Sequence, residues 1–206
     1  QLGKRLNLNL FPEKINYENK EVTTSIKVKH LDSLEESSYQ ITITSDVVEI
    51  SAGDETGLYY GLISLMQLAQ TYNQLVPCGT IVDKPRFRWR GQHLDTVRHF
   101  YSVESILKLL DLMSLFKLNK FHWHGTDDEA FRFKLDGEYD IATSTSVRGE
   151  GQLVPPVFGS GPGPSGSSYD LAEIKRIIDR SSNNYIEVMP EFDLPGHNKS
   201  VVKLYP

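Results

Sequence analysis

A chain of 206 residues has room for one or two domains, each with a real hydrophobic core. Its 39% hydrophobic and 24% charged residues are ordinary for a globular protein, and a net charge of -5 excludes the basic stripe that nucleic-acid binding needs to neutralise phosphates. The single cysteine, Cys78, excludes an internal disulfide and a cysteine-based metal cluster, and no apolar run approaches the ~18–20 residues needed to cross a bilayer.

Residues 1–83 read as a small α+β unit. Val22 to Lys29 and Tyr39 to Thr44 alternate β-branched with polar residues, as half-buried strands do, and Val47 to Ile50 adds a third strand. Beyond the turn at Gly53, the apolar residues Leu58, Leu62, Leu65, Met66 and Leu68 recur at helical spacing. They predict an amphipathic helix over 56–72 packed on the sheet. The acidic pair Asp54-Glu55 stands at that helix's positive end, where electrostatics favours carboxylates.

A second pattern occupies 84–206. Lys84, Arg86, Arg88 and Arg90 alternate with Phe87 and Trp89 and read as a strand entry, continuing through Gly91 to Asp95. Ser102 is placed to cap a helix, with Glu104 in its first turn; Ile106, Leu109, Leu110, Met113 and Leu118 supply its apolar face. Asn119 to His124 is a second strand. Asp170 with Glu173 forms a capping-box pattern opening a helix over 171–181, and Tyr185 to Pro190 is a third strand. Strand–helix alternation of this kind indicates parallel β/α units, and in a (β/α)8 barrel the C-terminal strand ends build the active site. A Gly-, Pro- and Ser-rich loop fills 136–169, and its stretch Gly159 to Ser168 is expected to be mobile and chemically idle.

Each predicted strand ends in a polar cluster. In the first, Arg98 can fork hydrogen bonds to vicinal hydroxyls or a carboxylate, or pair with Asp95 and merely shape the loop. In the second, His122 and His124 share a strand face and could ligate a metal with a carboxylate; the alternative is a hydrogen-bonded polar layer. Asp128 and Glu129 follow, but neighbours at a strand end point in opposite directions, so Glu129 is not read as a general acid. In the third, Pro190, Pro195 and Gly196 fix the backbone that presents Asp193 and His197. A histidine held by an aspartate can tune a nearby acid, which makes an Asp127–His197 relay sensible. Asn198-Lys199-Ser200 fits the glycosylation sequon, and its place beside these residues argues for low occupancy.

Three segments, Arg90 to Phe100, Lys117 to Asp128 and Met189 to His197, resemble in order and content the β-N-acetylhexosaminidase and chitobiase family of glycoside hydrolases, family 20. Thr56 to Leu68 is similar to the helix of that family's accessory domain, so the resemblance covers nearly the whole chain. It implies an N-terminal α+β accessory domain at 1–83, followed by the first three β/α units of a TIM (β/α)8 barrel at 84–206. The implied chemistry is retaining removal of terminal N-acetylglucosamine or N-acetylgalactosamine, with the substrate's own acetamido oxygen as nucleophile.

By that resemblance, Arg98 grips the terminal sugar, and Asp127 with His197 relays to the catalytic glutamate. Asp95, His124 and Asp193 give structural support, and neither a cofactor nor a metal is implied. Phe131 and Ala130 stand where the family has tryptophan and glycine, which alters the pocket edge. The family's catalytic Asp-Glu pair lies on the next strand. A chain running from Gln1, with no signal peptide, to Pro206 is therefore expected to be a processed or excised piece, inactive alone and poorly stable as an open part-barrel. The expected partner is an oligosaccharide or glycoconjugate ending in N-acetylhexosamine, and the expected location is secreted, periplasmic or lysosomal. A metal-dependent barrel hydrolase using His122 and His124, or a non-catalytic carbohydrate-binding fragment, are the competing readings.

Overall fold

The computed structural model describes residues 15–17, 20–22, 25–73, 75–135, 141–155 and 166–206. They form two compact units, Gln1–Arg88 and Trp89–Pro206.

In the first unit, β1 (Ile15–Tyr17) and β2 (Lys20–Val22) make an antiparallel pair. A four-stranded sheet has the order β3-β5-β4-β6, with β3 (Ser25–His30) parallel to β5 (Val47–Ala52), and β4 (Tyr39–Ile43) antiparallel to both β5 and β6 (Gly79–Asp83). The first predicted strand starts three residues late, and Thr23 and Thr24 lie outside the described residues. The helix α1 (Glu55–Thr71) matches the expected span, and Asp54 caps it by accepting from the Gly57 N–H at 2.6 Å. Gly61 lets α1 approach the sheet closely: a Cβ there would lie 2.8 Å from Ile50 Cγ2. The Tyr39 hydroxyl, buried beneath α1, donates to Asp83 and meets Ser64 of the helix, each at 2.6 Å. Strand β6 had no clear signal because only Ile81 and Val82 mark it.

In the second unit, β7 (Gly91–Asp95), β8 (Lys120–His124) and β11 (Glu187–Glu191) form a parallel sheet in the order β11-β8-β7. Helix α2 (Val103–Leu115) links the first two strands, capped by Ser102, and α4 (Leu171–Asn183) precedes the third with both halves of the Asp170/Glu173 capping box formed. The face of β8 that carries Phe121 and Trp123 packs with Ile106, Leu110 and Met113 of α2, Ile177 of α4, and Phe133, Tyr169 and Ile186. Residues 84–90 are not strand: β7 begins only at Gly91, and Phe87 and Trp89 are exposed. The third strand also begins late, because Tyr185 takes a left-handed φ of 55° that a strand cannot continue.

Between these elements lie a hairpin of β9 (Thr126–Asp127) and β10 (Ala130–Phe131), and the short helices α3 (Ile141–Thr145) and α5 (Lys199–Leu204). Asp128 and Glu129 form the hairpin's turn rather than a strand end. Gly125 is required where β8 passes into this hairpin, since a Cβ there would fall inside the Phe133 ring. No helix among the described residues is long and apolar enough to cross a membrane.

Candidate active site

The three parallel strands stop in register. Asp95 of β7 lies opposite His124 of β8, and His124 lies opposite Glu191 of β11. Because side chains alternate along a strand, His93 and His122 share the face of Asp95 and His124. One face of the sheet is therefore imidazole and carboxylate, while the other is aromatic core.

Asp95 organises the loop that follows it. Its Oδ1 accepts from the Val97 and Arg98 N–H groups at 2.9 and 3.0 Å, and its Oδ2 accepts from Arg98 Nη1 at 2.6 Å. Burial pushes the Asp95 carboxyl up, but these bonds from Arg98 and Val97 outweigh it and hold the group below its ordinary range. Arg98 Nη2 lies 2.6 Å from Asp127 Oδ2, so one guanidinium bridges two carboxylates. Its side chain is still 50% exposed, and the planar fork keeps further donors for an incoming hydroxyl.

Asp127 is the centre of the arrangement, with its side chain only 2% exposed. Oδ1 accepts from the Asp128 N–H at 2.6 Å and faces His197 Nδ1 at 3.1 Å; Oδ2 meets Arg98 and His124 Nε2, the latter at 2.9 Å. A carboxylate buried this deeply needs such compensation. Burial pushes His124 down, but the hydrogen bond to Asp127 and the charges of Glu191 and Asp95 outweigh it and raise the imidazole above its ordinary value. On its other side, His124 Nδ1 stands 3.1 Å from Glu191 Oε2, off the line of a hydrogen bond.

Three consecutive residues hold the loop after β11. Thr126 Oγ1 accepts from the Asp193 N–H at 2.8 Å, Asp127 meets His197, and Asp128 accepts from the N–H and Nζ of Lys199 at 3.2 and 2.8 Å. His197 takes a positive φ of 52° in this turn and keeps its ring 60% exposed. The aspartate that holds His197 is thus Asp127. Asp193 is tied instead to Thr126 and, through its carboxyl, to Glu191; burial and that carboxylate both raise it. Ser200, fully buried, donates from Oγ to the Asp127 carbonyl at 3.0 Å.

All six residues singled out in the sequence (Asp95, Arg98, His124, Asp127, Asp193 and His197) therefore gather at the strand ends. Three others were not singled out. Glu191 could have been, because it ends β11 opposite His124. Arg132 and Arg148 carry no signal in the sequence. Arg132, fully buried, donates from Nε to the Thr96 carbonyl at 3.1 Å, from Nη2 to Val97 at 2.7 Å, and from Nη1 to Ser167 at 2.8 Å and to Ser146. Burial, with the Arg148 charge beside it, pushes Arg132 down to about 10. The Ser167 bond corrects the expectation for Gly159 to Ser168. Residues 159–165 lie outside those described, but Gly166 and Ser167 are part of the packing around Arg132.

The two histidines considered for metal both face Glu191 Oε2, His122 through Nε2 and His124 through Nδ1. His122 Nε2 lies 2.5 Å from Glu191 Oε2, whereas His124 turns Nε2 toward Asp127. Among the described residues three donor sets have ligand atoms within 4.8 Å of one another: His93, His124 and Glu191; His124, Asp127 and Asp193; and Asp127, Asp128 and His197.

A half-exposed arginine thus stands beside a buried aspartate–histidine pair, Asp127 and His124, at the parallel strand ends. Residues 87–206 match the model of the glycosyl hydrolase family 20 catalytic domain, and residues 2–84 match that of the family's domain 2. The chain belongs to glycosyl hydrolase family 20. It is 33% identical to a β-hexosaminidase of Akkermansia muciniphila over 86% of this chain and 35% of that protein, and 35% identical to the N,N'-diacetylchitobiase of Vibrio harveyi over 80% of this chain and 20% of that protein. The crystal structure of a Vibrio harveyi family 20 exo-β-N-acetylglucosaminidase in complex with N-acetylglucosamine superposes with a TM-score of 0.80 at 32% identity, covering 86% of this chain and 28% of that one. The chain thus spans between a fifth and about a third of the length of these relatives.

Proposed function

We propose that the whole protein is a retaining β-N-acetylhexosaminidase, and that residues 84–206 open the (β/α)8 barrel that carries its site. The observation that carries this is Asp127, buried at the strand ends between Arg98 and His197. Arg98 hydrogen-bonds hydroxyls of the terminal N-acetylglucosamine or N-acetylgalactosamine. Asp127 orients His197, whose exposed ring faces outward to a glutamic acid supplied by a following strand, and together they set that acid's protonation. The substrate's acetamido oxygen attacks the anomeric carbon while the acid protonates the leaving oxygen. Asp95 fixes Arg98, His124 fixes Asp127, and Asp193 anchors the His197 turn.

The whole protein is expected to hydrolyse an aryl N-acetyl-β-glucosaminide with full activity in the presence of a chelator, and residues 1–206 alone to give no turnover. Hydrolysis by the 206-residue chain would overturn the assignment of the acid outside it. A second reading, a metal-dependent hydrolase, is favoured by the convergence of His93, His124 and Glu191. Stoichiometric zinc with activity lost to the chelator would establish it.

Replacing Arg98 by alanine in the whole protein is expected to raise KM about 10- to 100-fold, the worth of hydrogen bonds from a charged donor, with a smaller change in kcat. Steady-state kinetics separate the two constants, and an unchanged KM would remove Arg98 from the sugar.

A further inference from the structure

Arg148 is a buried cation with too little to hold it. The residue is 5% exposed, its Nη2 donates to the backbone carbonyl of Arg98, and among the described residues its Nε and Nη1 make no hydrogen bond. Arg132 lies near enough for the two charges to oppose each other. Burying a guanidinium without a full set of acceptors is costly. Such a residue weakens the fold rather than supporting it.

Its neighbour makes the contrast plain. Arg132 fills its donors with the carbonyls of Thr96, Val97, Ser146 and Ser167 and so closes the packing beneath the β7 loop. Arg148 adds only the next carbonyl in that series, and it belongs to the residue whose side chain bridges Asp95 and Asp127. The backbone around Arg148 is itself secured. Arg148 pairs with Val154 in an isolated bridge, and the Gly149 N–H donates to the Val154 carbonyl at 3.0 Å. The Gln152 N–H returns to the Gly149 carbonyl at 3.2 Å. A rigid support thus delivers one donor to one carbonyl.

We infer that Arg148 is a positioning residue for Arg98, fixing its backbone so that the guanidinium is presented to the sugar hydroxyls at the angle set by Asp95 and Asp127. This rests on the proposed role of Arg98 as the sugar-binding residue. Thr96 and Val97 are already held by Arg132, so the Arg148 bond acts at the last point before the side chain departs.

The test compares Arg148→Met, Arg148→Lys and Arg98→Ala in the whole protein, with an aryl N-acetyl-β-glucosaminide as substrate. Arg148→Met is expected to raise KM about tenfold, in line with losing one charge-assisted bond, with kcat nearly kept and the melting temperature unchanged or higher. Arg148→Lys, which keeps a cationic donor, is expected to recover part of the lost affinity. A residue that only supports the fold would give the opposite pattern, so loss of folding or a lowered melting temperature in Arg148→Met overturns the inference. A wild-type KM in Arg148→Met beside a raised KM in Arg98→Ala also overturns it, while leaving Arg98 on the sugar. If Arg98→Ala itself leaves KM unchanged, the proposed role of Arg98 fails and this inference falls with it.

Discussion

Asp127→Asn in the whole protein should lower kcat about 100-fold, the lower end of what a positioned proton-transfer group contributes, while substrate still binds. Asparagine keeps the size of the side chain but not its charge. Oδ1 faces His197, and Oδ2 meets Arg98 and His124, so the substitution places an amide among three cationic or potentially cationic groups. The pH profile should change in a definite direction. His124 is raised because its hydrogen bond to Asp127 and the charges of Glu191 and Asp95 outweigh its burial. Its imidazolium is present below that raised value and is lost as pH climbs through it. Without the Asp127 charge the loss comes at lower pH, so activity that depends on the charged ring fails earlier on the alkaline side. A variant with the wild-type kcat and pH profile would exclude the relay.

Arg132→Met should destabilise the protein by several kcal/mol, on the order of 4, even though it removes a buried charge. Replacing a complete buried ion pair with apolar groups can be neutral, but here the acceptors stay behind. The carbonyls of Thr96, Val97 and Ser146, all buried residues, would lose their donor, as would that of the exposed Ser167. Phe100 would also lose the guanidinium that lies 5.6 Å from its ring centroid. A urea titration of the whole protein measures the effect, and an unchanged midpoint would show that those carbonyls find other donors. The two arginines are therefore separable: one is required for the fold, the other for the placement of Arg98.

The frame was legible because it is written in short-range pattern. Phe121 and Trp123 alternate with His122 and His124, which fixes both faces of β8 from five residues. Ser102 and the Asp170/Glu173 box announce their helices through groups three residues apart. The polar ends of the strands were legible for the same reason, since Asp95, His124 and Glu191 each close a run of strand pattern. What escaped depends on distance along the chain. Arg148 reaches Arg98 across 50 residues and Arg132 reaches Val97 across 35, with nothing periodic between them. Helix α3 was hidden because Thr143, Ser144 and Thr145 follow only two apolar residues, and a polar stretch of this kind reads as loop. The pairing of His197 with Asp127, 70 residues away, came from the resemblance and from the chemistry of a histidine held by an aspartate, since nothing in the spacing marks it.

Ser200 carries a consequence for the history of the chain. Its hydroxyl is the one that the Asn198-Lys199-Ser200 triplet must offer if a glycan is to be attached, and it is also the one that closes onto the Asp127 carbonyl. The two uses exclude each other in time. Once α5 has wound and Ser200 is buried, the triplet no longer has the extended, open form in which it could be modified. A molecule bearing sugar at Asn198 would therefore be a record of sequence: modified first, folded at this corner afterwards.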